Sequence, residues 1–267
     1  MQLAFDDDGP GPVLVLLHGF PLDRSMWSHQ QSSVGSIYRV IAPDLRGHGH
    51  SAAPDGIYTV DAMADDVIEL LDGLQLTEPL VIGGLSMGGY VALSIASRYP
   101  ERLKALMLLS TRAVGDSPEA ALAREALAKQ VEAAGSAEPV IEAMLPRLFA
   151  RQTFERHPEL VARWHGRMAR TQPRAIAGTL RGLATRPDRT AELPRIAVPT
   201  LVLAGAEDHM VLAGAKDQVV PLDESIAMAR AIPNARHAVI ADAGHLMPIE
   251  NHQATDAAIL EFLQTLW

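Results

Sequence analysis

Six short apolar runs, each bounded by Gly, Pro or Asp, limit what this chain can fold into: Val13–Leu17, Val40–Ala42, Leu80–Ile82, Ala105–Leu109, Leu201–Ala204 and Ala238–Ile240. Runs this short and this uniformly apolar suit strands buried on both faces of a parallel sheet, since a half-exposed strand would alternate. Helix-period segments separate most of them. In Val60–Leu74 the apolar residues Val60, Met63, Val67, Leu70, Leu71 and Leu74 recur at helical spacing. Tyr90–Ala96 and Ile259–Leu266 read the same way. Strand and helix in alternation predict an α/β fold with a doubly wound, mostly parallel sheet, whose functional groups gather at the carboxyl ends of the strands. A chain of 267 residues accommodates one such domain with an insertion.

The stretch 112–189 breaks the alternation. It is rich in Ala, Arg and Glu and is expected to form several helices, inserted as a cap into a core made of 1–111 and 190–267. It carries 13 Lys and Arg against 9 Asp and Glu, in a chain whose net charge is −9. A basic cap over a site favours anionic substrates; a solvated basic face is the plainer reading. The negative total argues against nucleic acid as a partner, because phosphate binding needs a basic face. No apolar run reaches the ~18 residues of a membrane span. The N-terminal MQLAFDDDGPG has neither the basic nor the apolar region of a secretory signal. Cysteine is absent, which excludes disulfides, thiolate catalysis and cysteine-held metals and fits a cytoplasmic location. The sequence is silent on oligomeric state.

The run Leu80–Ile82 leads through Gly83 into Gly84-Leu85-Ser86-Met87-Gly88, and a helical pattern follows. Gly-x-Ser-x-Gly between a strand and a helix holds a serine hydroxyl up on a sharp turn, and the flanking glycines avoid a collision there. A phosphate-binding loop is the competing Gly-rich reading, but the Gly-Lys-Ser/Thr ending is missing. Ser86 is therefore the candidate nucleophile. Such a serine needs two backbone N–H groups aimed at the developing oxyanion. One belongs to Met87. The other is assigned to Phe20, in the His18-Gly19-Phe20-Pro21 turn that ends the first apolar run. His18 is expected to be a structural loop histidine.

His245 follows the last apolar run on the glycine-containing loop Asp242-Ala243-Gly244-His245 and is the candidate general base. The acid that orients it has two candidates. Val202–Met210 is followed at once by a near copy, Val211–Val219, which differs at Glu207/Lys216, His209/Gln218 and Met210/Val219. This tandem repeat offers both Asp208 and Asp217. Asp208 ends the better strand; Asp217 has the better downstream context, with Val220-Pro221 and a helix after it. Under the Asp217 reading, Glu207, Asp208 and His209 would lie in or near a buried strand, which is costly for charges. The balance favours Asp208, with Asp217 as the alternative.

Asp44, in Pro43-Asp44-Leu45-Arg46-Gly47-His48-Gly49-His50-Ser51, reads as a turn stabiliser. The glycines there superficially match a dinucleotide fingerprint, but Pro54 follows and no helix opens on them. His48 and His50 lack further ligands at metal spacing. No cofactor and no metal are expected.

The segments HGFPLDRSMW, APDLRGHGHS, GLSMGGYVAL and the late AGH, in this order, resemble the α/β-hydrolase superfamily, and within it the small cofactorless carboxylesterases, enol-lactonases and perhydrolase-like members. The resemblance covers nearly the whole chain. It implies an α/β-hydrolase fold with a helical cap, a Ser–His–Asp triad and an acyl-enzyme formed from a small-molecule ester or lactone. Carbon–carbon bond hydrolysis, perhydrolysis, a lyase or synthase of the vitamin K pathway type, and a non-enzymatic binding protein are the alternatives. Members with an aspartate at the nucleophile position are set aside by Ser86. Only Leu3–Phe5 precedes the first Gly-Pro turn, so the usual first hairpin is expected to be trimmed. Met26, Trp27, Met144, Phe149, Phe154 and Trp164 are candidate pocket residues, with plain core packing as the competing expectation.

Overall fold

A computed structural model describes residues 1–208 and 221–267. Among these, seven strands form one sheet: β1 (Phe5–Asp8), β2 (Val13–Leu17), β3 (Arg39–Pro43), β4 (Leu80–Leu85), β5 (Leu103–Leu109), β6 (Thr200–Gly205) and β7 (Ala235–Ile240). Their spatial order is β1-β3-β2-β4-β5-β6-β7. Only β1 runs antiparallel, against β3; every other pair is parallel. All six apolar runs are strands, and the sheet is the doubly wound one expected. The short N-terminal segment supplies a single edge strand.

Helices α1 (Ser28–Ser33), α2 (Val60–Gly73) and α3 (Met87–Arg98) connect the first five strands. The insertion between β5 and β6 contains α4 (Pro118–Ala134), α5 (Glu138–Leu148), α6 (Arg151–Arg156), α7 (Pro158–Met168) and α8 (Pro173–Ala184). Helices α9 (Pro221–Ala231), α10 (Met247–Glu250) and α11 (His252–Gln264) complete the chain. Local chemistry sets several of these limits. Thr59 caps α2 by accepting from the Ala62 N–H, Met63, Val67 and Leu71 form one buried face, and the helix packs beside α3. Ser117 caps α4, Pro118 occupies its first turn, and Gly135 ends it at φ 60°.

Leu14, Val15, Leu16 and Leu17 are fully buried, as are Val81, Ile82 and Leu106–Leu109. Each such side chain contributes roughly 1.5–3 kcal/mol relative to exposure. The expectation of burial on both faces fails for β7. It lies at the edge of the sheet, and Val239 is 43% exposed. Two predicted boundaries also shift. Strand β4 runs on through Gly83 and Gly84 to Leu85, and α11 begins at His252, where the Asn251 side chain caps it. No helix among the described residues is long and apolar enough to cross a membrane.

The strand order changes direction between β2 and β4. Strand β3 follows β2 on one side, and the remaining strands follow β4 on the other. The carboxyl ends of β2 and β4 therefore flank the crevice where ligands bind in open α/β sheets.

Candidate active site

Ser86 sits between β4 and α3 with φ 56° and ψ −112°, a conformation that costs a non-glycine residue about 1–3 kcal/mol. Three hydrogen bonds hold it there. Its N–H donates to Leu109 O (2.9 Å), and its carbonyl accepts from Tyr90 N (3.1 Å) and Thr111 Oγ1 (2.8 Å). The glycines are sterically required. A Cβ at Gly84 would lie 2.1 Å from Gly88 O, and one at Gly88 would lie 2.2 Å from Leu17 O.

That last contact joins the turn to the loop after β2. Leu17 is in register with Gly84 across the parallel pair, so His18–Pro21 begins beside Ser86. His18 is fully buried and its ring is used at both nitrogens: Nδ1 donates to Gly19 O (2.9 Å), and Nε2 accepts from Leu45 N (2.9 Å). Burial holds its pKa below the ordinary value, against the opposing pull of Asp44. The histidine is thus a neutral loop strut, as expected. Phe20 and Met87 both line the pocket that contains Ser86. Met87 is the first residue of α3, so its N–H has no acceptor within the helix.

His245 and Asp208 line the same pocket and are both buried. His245 Nδ1 lies 3.0 Å from each carboxylate oxygen of Asp208. Its Nε2 has no hydrogen-bond partner among the described residues. Register accounts for the meeting: Gly205 at the end of β6 pairs with Ile240 at the end of β7, and both residues lie just beyond those ends. Asp217 lies outside the described residues.

The His245 loop is anchored by a residue the sequence reading did not single out. Glu250 Oε1 accepts from Gly244 N (2.8 Å), while Oε2 accepts from Ala150 N (2.8 Å) and Thr153 Oγ1 (2.6 Å). Leu246 N also donates to Leu148 O (3.2 Å). The histidine loop is therefore docked on the stretch joining α5 to α6. Burial raises the Glu250 pKa, although these donors oppose it.

Further pocket residues come from the end of β5 and from the insertion: Ser110, Thr111, Arg112, Arg124, Met144 and Leu183. Ser110 to Arg112 follow a strand at its carboxyl end, a position that marks functional residues in such sheets and was a usable signal. Of the six apolar candidates only Met144 lines this pocket; Met26, Trp27, Phe149 and Trp164 belong to the core, and Phe154 packs against it. Asp44 is fully buried and fully engaged. It accepts from Arg24 N (2.8 Å), the Arg24 guanidinium and His50 N (2.8 Å), which is a turn-stabilising role.

The chain matches the alpha/beta hydrolase fold family over residues 12–252 and belongs to it. It is 44% identical to a thermophilic esterase from Thermogutta terrifontis, solved with malate bound, at a TM-score of 0.93, covering 99% of this chain and 93% of that one. The enol-lactonase from Burkholderia xenovorans LB400 is 31% identical at a TM-score of 0.84, covering 98% and 96%. 3-Oxoadipate enol-lactonase 2 of Acinetobacter baylyi is 32% identical over 197 residues, which is 74% of this chain and 72% of that protein. The chain is an α/β hydrolase of the esterase and enol-lactonase kind.

Proposed function

We propose that this chain is a serine hydrolase that cleaves a carboxylic ester or lactone through an acyl-enzyme on Ser86. His245 is its general base, Asp208 the acid that orients the imidazole, and the amides of Phe20 and Met87 the oxyanion hole. The segment 112–189 is the cap over the site. The observation that carries this reading is the His245 ring. Its Nδ1 is held at 3.0 Å by both Asp208 oxygens, while its Nε2 is left without a bond in a pocket shared with Ser86.

Ser86 Oγ attacks the carbonyl carbon as its proton passes to His245 Nε2. The carbonyl oxygen takes up the negative charge and is stabilised by the two amides. The carbon–oxygen bond to the leaving group then breaks, and the imidazolium returns the proton to the departing alkoxide. Water, deprotonated at Nε2, attacks the acyl-enzyme in turn and releases the acid and Ser86. In a lactone the leaving alkoxide stays on the same molecule, and a hydroxy acid (or its keto form) is the product.

A panel of p-nitrophenyl esters and lactones tests the assignment. The wild type hydrolyses members of the panel, and Ser86→Ala lowers kcat by roughly 10⁴-fold or more. Undiminished hydrolysis by Ser86→Ala overturns it.

A further inference from the structure

Strands β4, β5, β6 and β7 lie side by side in that order, and Ser86, Asp208 and His245 follow β4, β6 and β7. The residue that follows β5, between the serine and the acid, is Ser110. Its two neighbours in sequence hold Ser86: Leu109 O accepts from Ser86 N, and Thr111 Oγ1 donates to Ser86 O. Its own N–H donates to Leu203 O (2.8 Å) on β6. Ser110 is thereby fixed in the wall of the pocket that holds Ser86 and His245.

This anchoring leaves two features of Ser110 unexplained. Its φ is 42°, in the left-handed region that residues with a Cβ rarely adopt. Among the described residues four non-glycine positions have positive φ, Gln75, Ser86, Ser110 and Asp242, and of these Ser86 and Ser110 line this pocket. Backbone strain of this kind concentrates at functional sites. The second feature is the hydroxyl. Ser110 is 6% exposed, yet its Oγ has no hydrogen-bond partner among the described residues. The adjacent Thr111 hydroxyl, by contrast, is spent on Ser86 O. A buried hydroxyl without a partner is costly and calls for a reason. One other buried side-chain atom of the described pocket residues shares this state, His245 Nε2. In the hydrolysis described above, one group lacks a partner. The carbonyl oxygen has the two amides, and the leaving group has the His245 proton. The attacking water gives one proton to Nε2, and its second O–H has no acceptor. The cavity of about 50 Å³ has room for this molecule, which needs roughly 10–15 Å³ and at least two polar partners.

We propose that Ser110 Oγ accepts this second O–H, so that the hydrolytic water is held between Ser110 and His245 with a lone pair facing the acyl carbon on Ser86. The proposal rests on the hydrolase reading above. Two anchors orient the water where one leaves it free to turn, and orientation of a reactant lowers the barrier. In the step itself the water oxygen bonds to the acyl carbon and one proton moves to Nε2. The other proton stays on the new carboxyl oxygen, donated to Ser110. The bond from the acyl carbon to Ser86 Oγ then breaks, and the imidazolium proton returns to that oxygen.

Methanol separates this role from a structural one. It carries a single O–H, which goes to His245, so its attack on the acyl-enzyme does not call on Ser110. The test turns over p-nitrophenyl butyrate in water containing methanol and measures methyl butyrate against butyric acid, after subtraction of the spontaneous reaction. Ser110→Ala and Ser110→Gly both remove the hydroxyl, and glycine adopts the positive φ without strain. Each raises the ratio of methyl ester to acid by about five- to tenfold over the wild type, the scale of one hydrogen bond. In water alone, deacylation slows by the same factor, while acylation, read as the first-turnover release of p-nitrophenolate, changes by less than about twofold. The product ratio is set within one acyl-enzyme, so partial misfolding does not move it. A ratio within about twofold of the wild type in either variant, or deacylation in water at the wild-type rate, overturns the proposal and leaves the hydrolase reading intact. No p-nitrophenolate release by the wild type from any ester of the panel removes both.

Discussion

The Ser86 turn and the His245 loop reach the same pocket by different means. Ser86 is placed mainly by its immediate neighbours in sequence, with Leu109 and Thr111 at the end of β5 holding its backbone. Strand β4 runs straight into it, α3 starts one residue later, and glycines at 84 and 88 let three backbones pass within contact. His245 sits five residues beyond the last residue of β7, and distant groups hold it: Asp208 from beyond β6, Leu148 and Ala150 from the insertion, and Glu250 as the bridge. The serine arm is rigid by local steric necessity. The histidine arm is rigid only while its remote partners stay in place. Substitutions on the first arm should therefore act through packing, and those on the second through alignment of His245, the proposed base.

The largest effect is expected on the histidine arm. Asp208→Asn removes the charge that fixes the Nδ1–H tautomer, and kcat at saturating ester should fall by about 10⁴-fold with the chain still folded. A drop of less than tenfold would shift the acid role to another carboxylate. On the serine arm, Gly88→Ala places a Cβ 2.2 Å from Leu17 O and 2.8 Å from His18 O, both main-chain atoms with little room to move. Its cost should reach the upper end of overpacking, about 3 kcal/mol or more, read as a lowered unfolding midpoint in denaturant.

Glu250→Gln sharpens the contrast. Three donors converge on two carboxylate oxygens, and an amide turns one of those oxygens into a donor facing another donor. Stability should fall by about 1–3 kcal/mol. The loss in kcat should be roughly tenfold with KM little changed, because the base is misaligned and the substrate wall is not touched. A variant destabilised to that extent but with wild-type kcat would show that the insertion does not position His245.

The last effect, graded with pH and small near neutrality, concerns the buried histidine beside Phe20. Burial, helped by His18, lowers the His48 pKa to about 3. The unfolded chain binds this proton near pH 6.5, so its contribution to stability is complete above that pH. As pH falls from ~6.5 toward ~3 only the unfolded state protonates, and stability is lost by at most about 1.4 kcal/mol per pH unit. His48→Asn keeps a donor for Arg46 O and removes the titration, so its unfolding free energy should fall less steeply across this range. Equal slopes for the two proteins would contradict that account.

The two arms also explain what could be read from the sequence. The Ser86 turn was legible because strand, glycines, serine and helix are contiguous, and each residue type answers a local steric demand. The six strands were legible because burial on two faces leaves no room for polar alternation; only β7, exposed at its edge, departs from that rule. His245 could be found by its place after the last strand, and Asp208 by the strand it ends. Glu250 carried no local signal, since its role depends on Ala150 and Thr153, about 100 residues away in the chain. The same holds for Glu224 opposite Arg112, whose pairing spans 112 positions. Long-range docking decides these contacts, and no spacing rule encodes it.

The central claim is that the Ser86 hydroxyl is activated by His245. Fluorophosphonate labelling of the intact protein, with the adduct located by peptide mass spectrometry, tests it most directly. The account predicts one adduct on Ser86, formed at least a hundredfold more slowly in His245→Ala. Labelling at another residue, or labelling of Ser86 at an unchanged rate in His245→Ala, would contradict it.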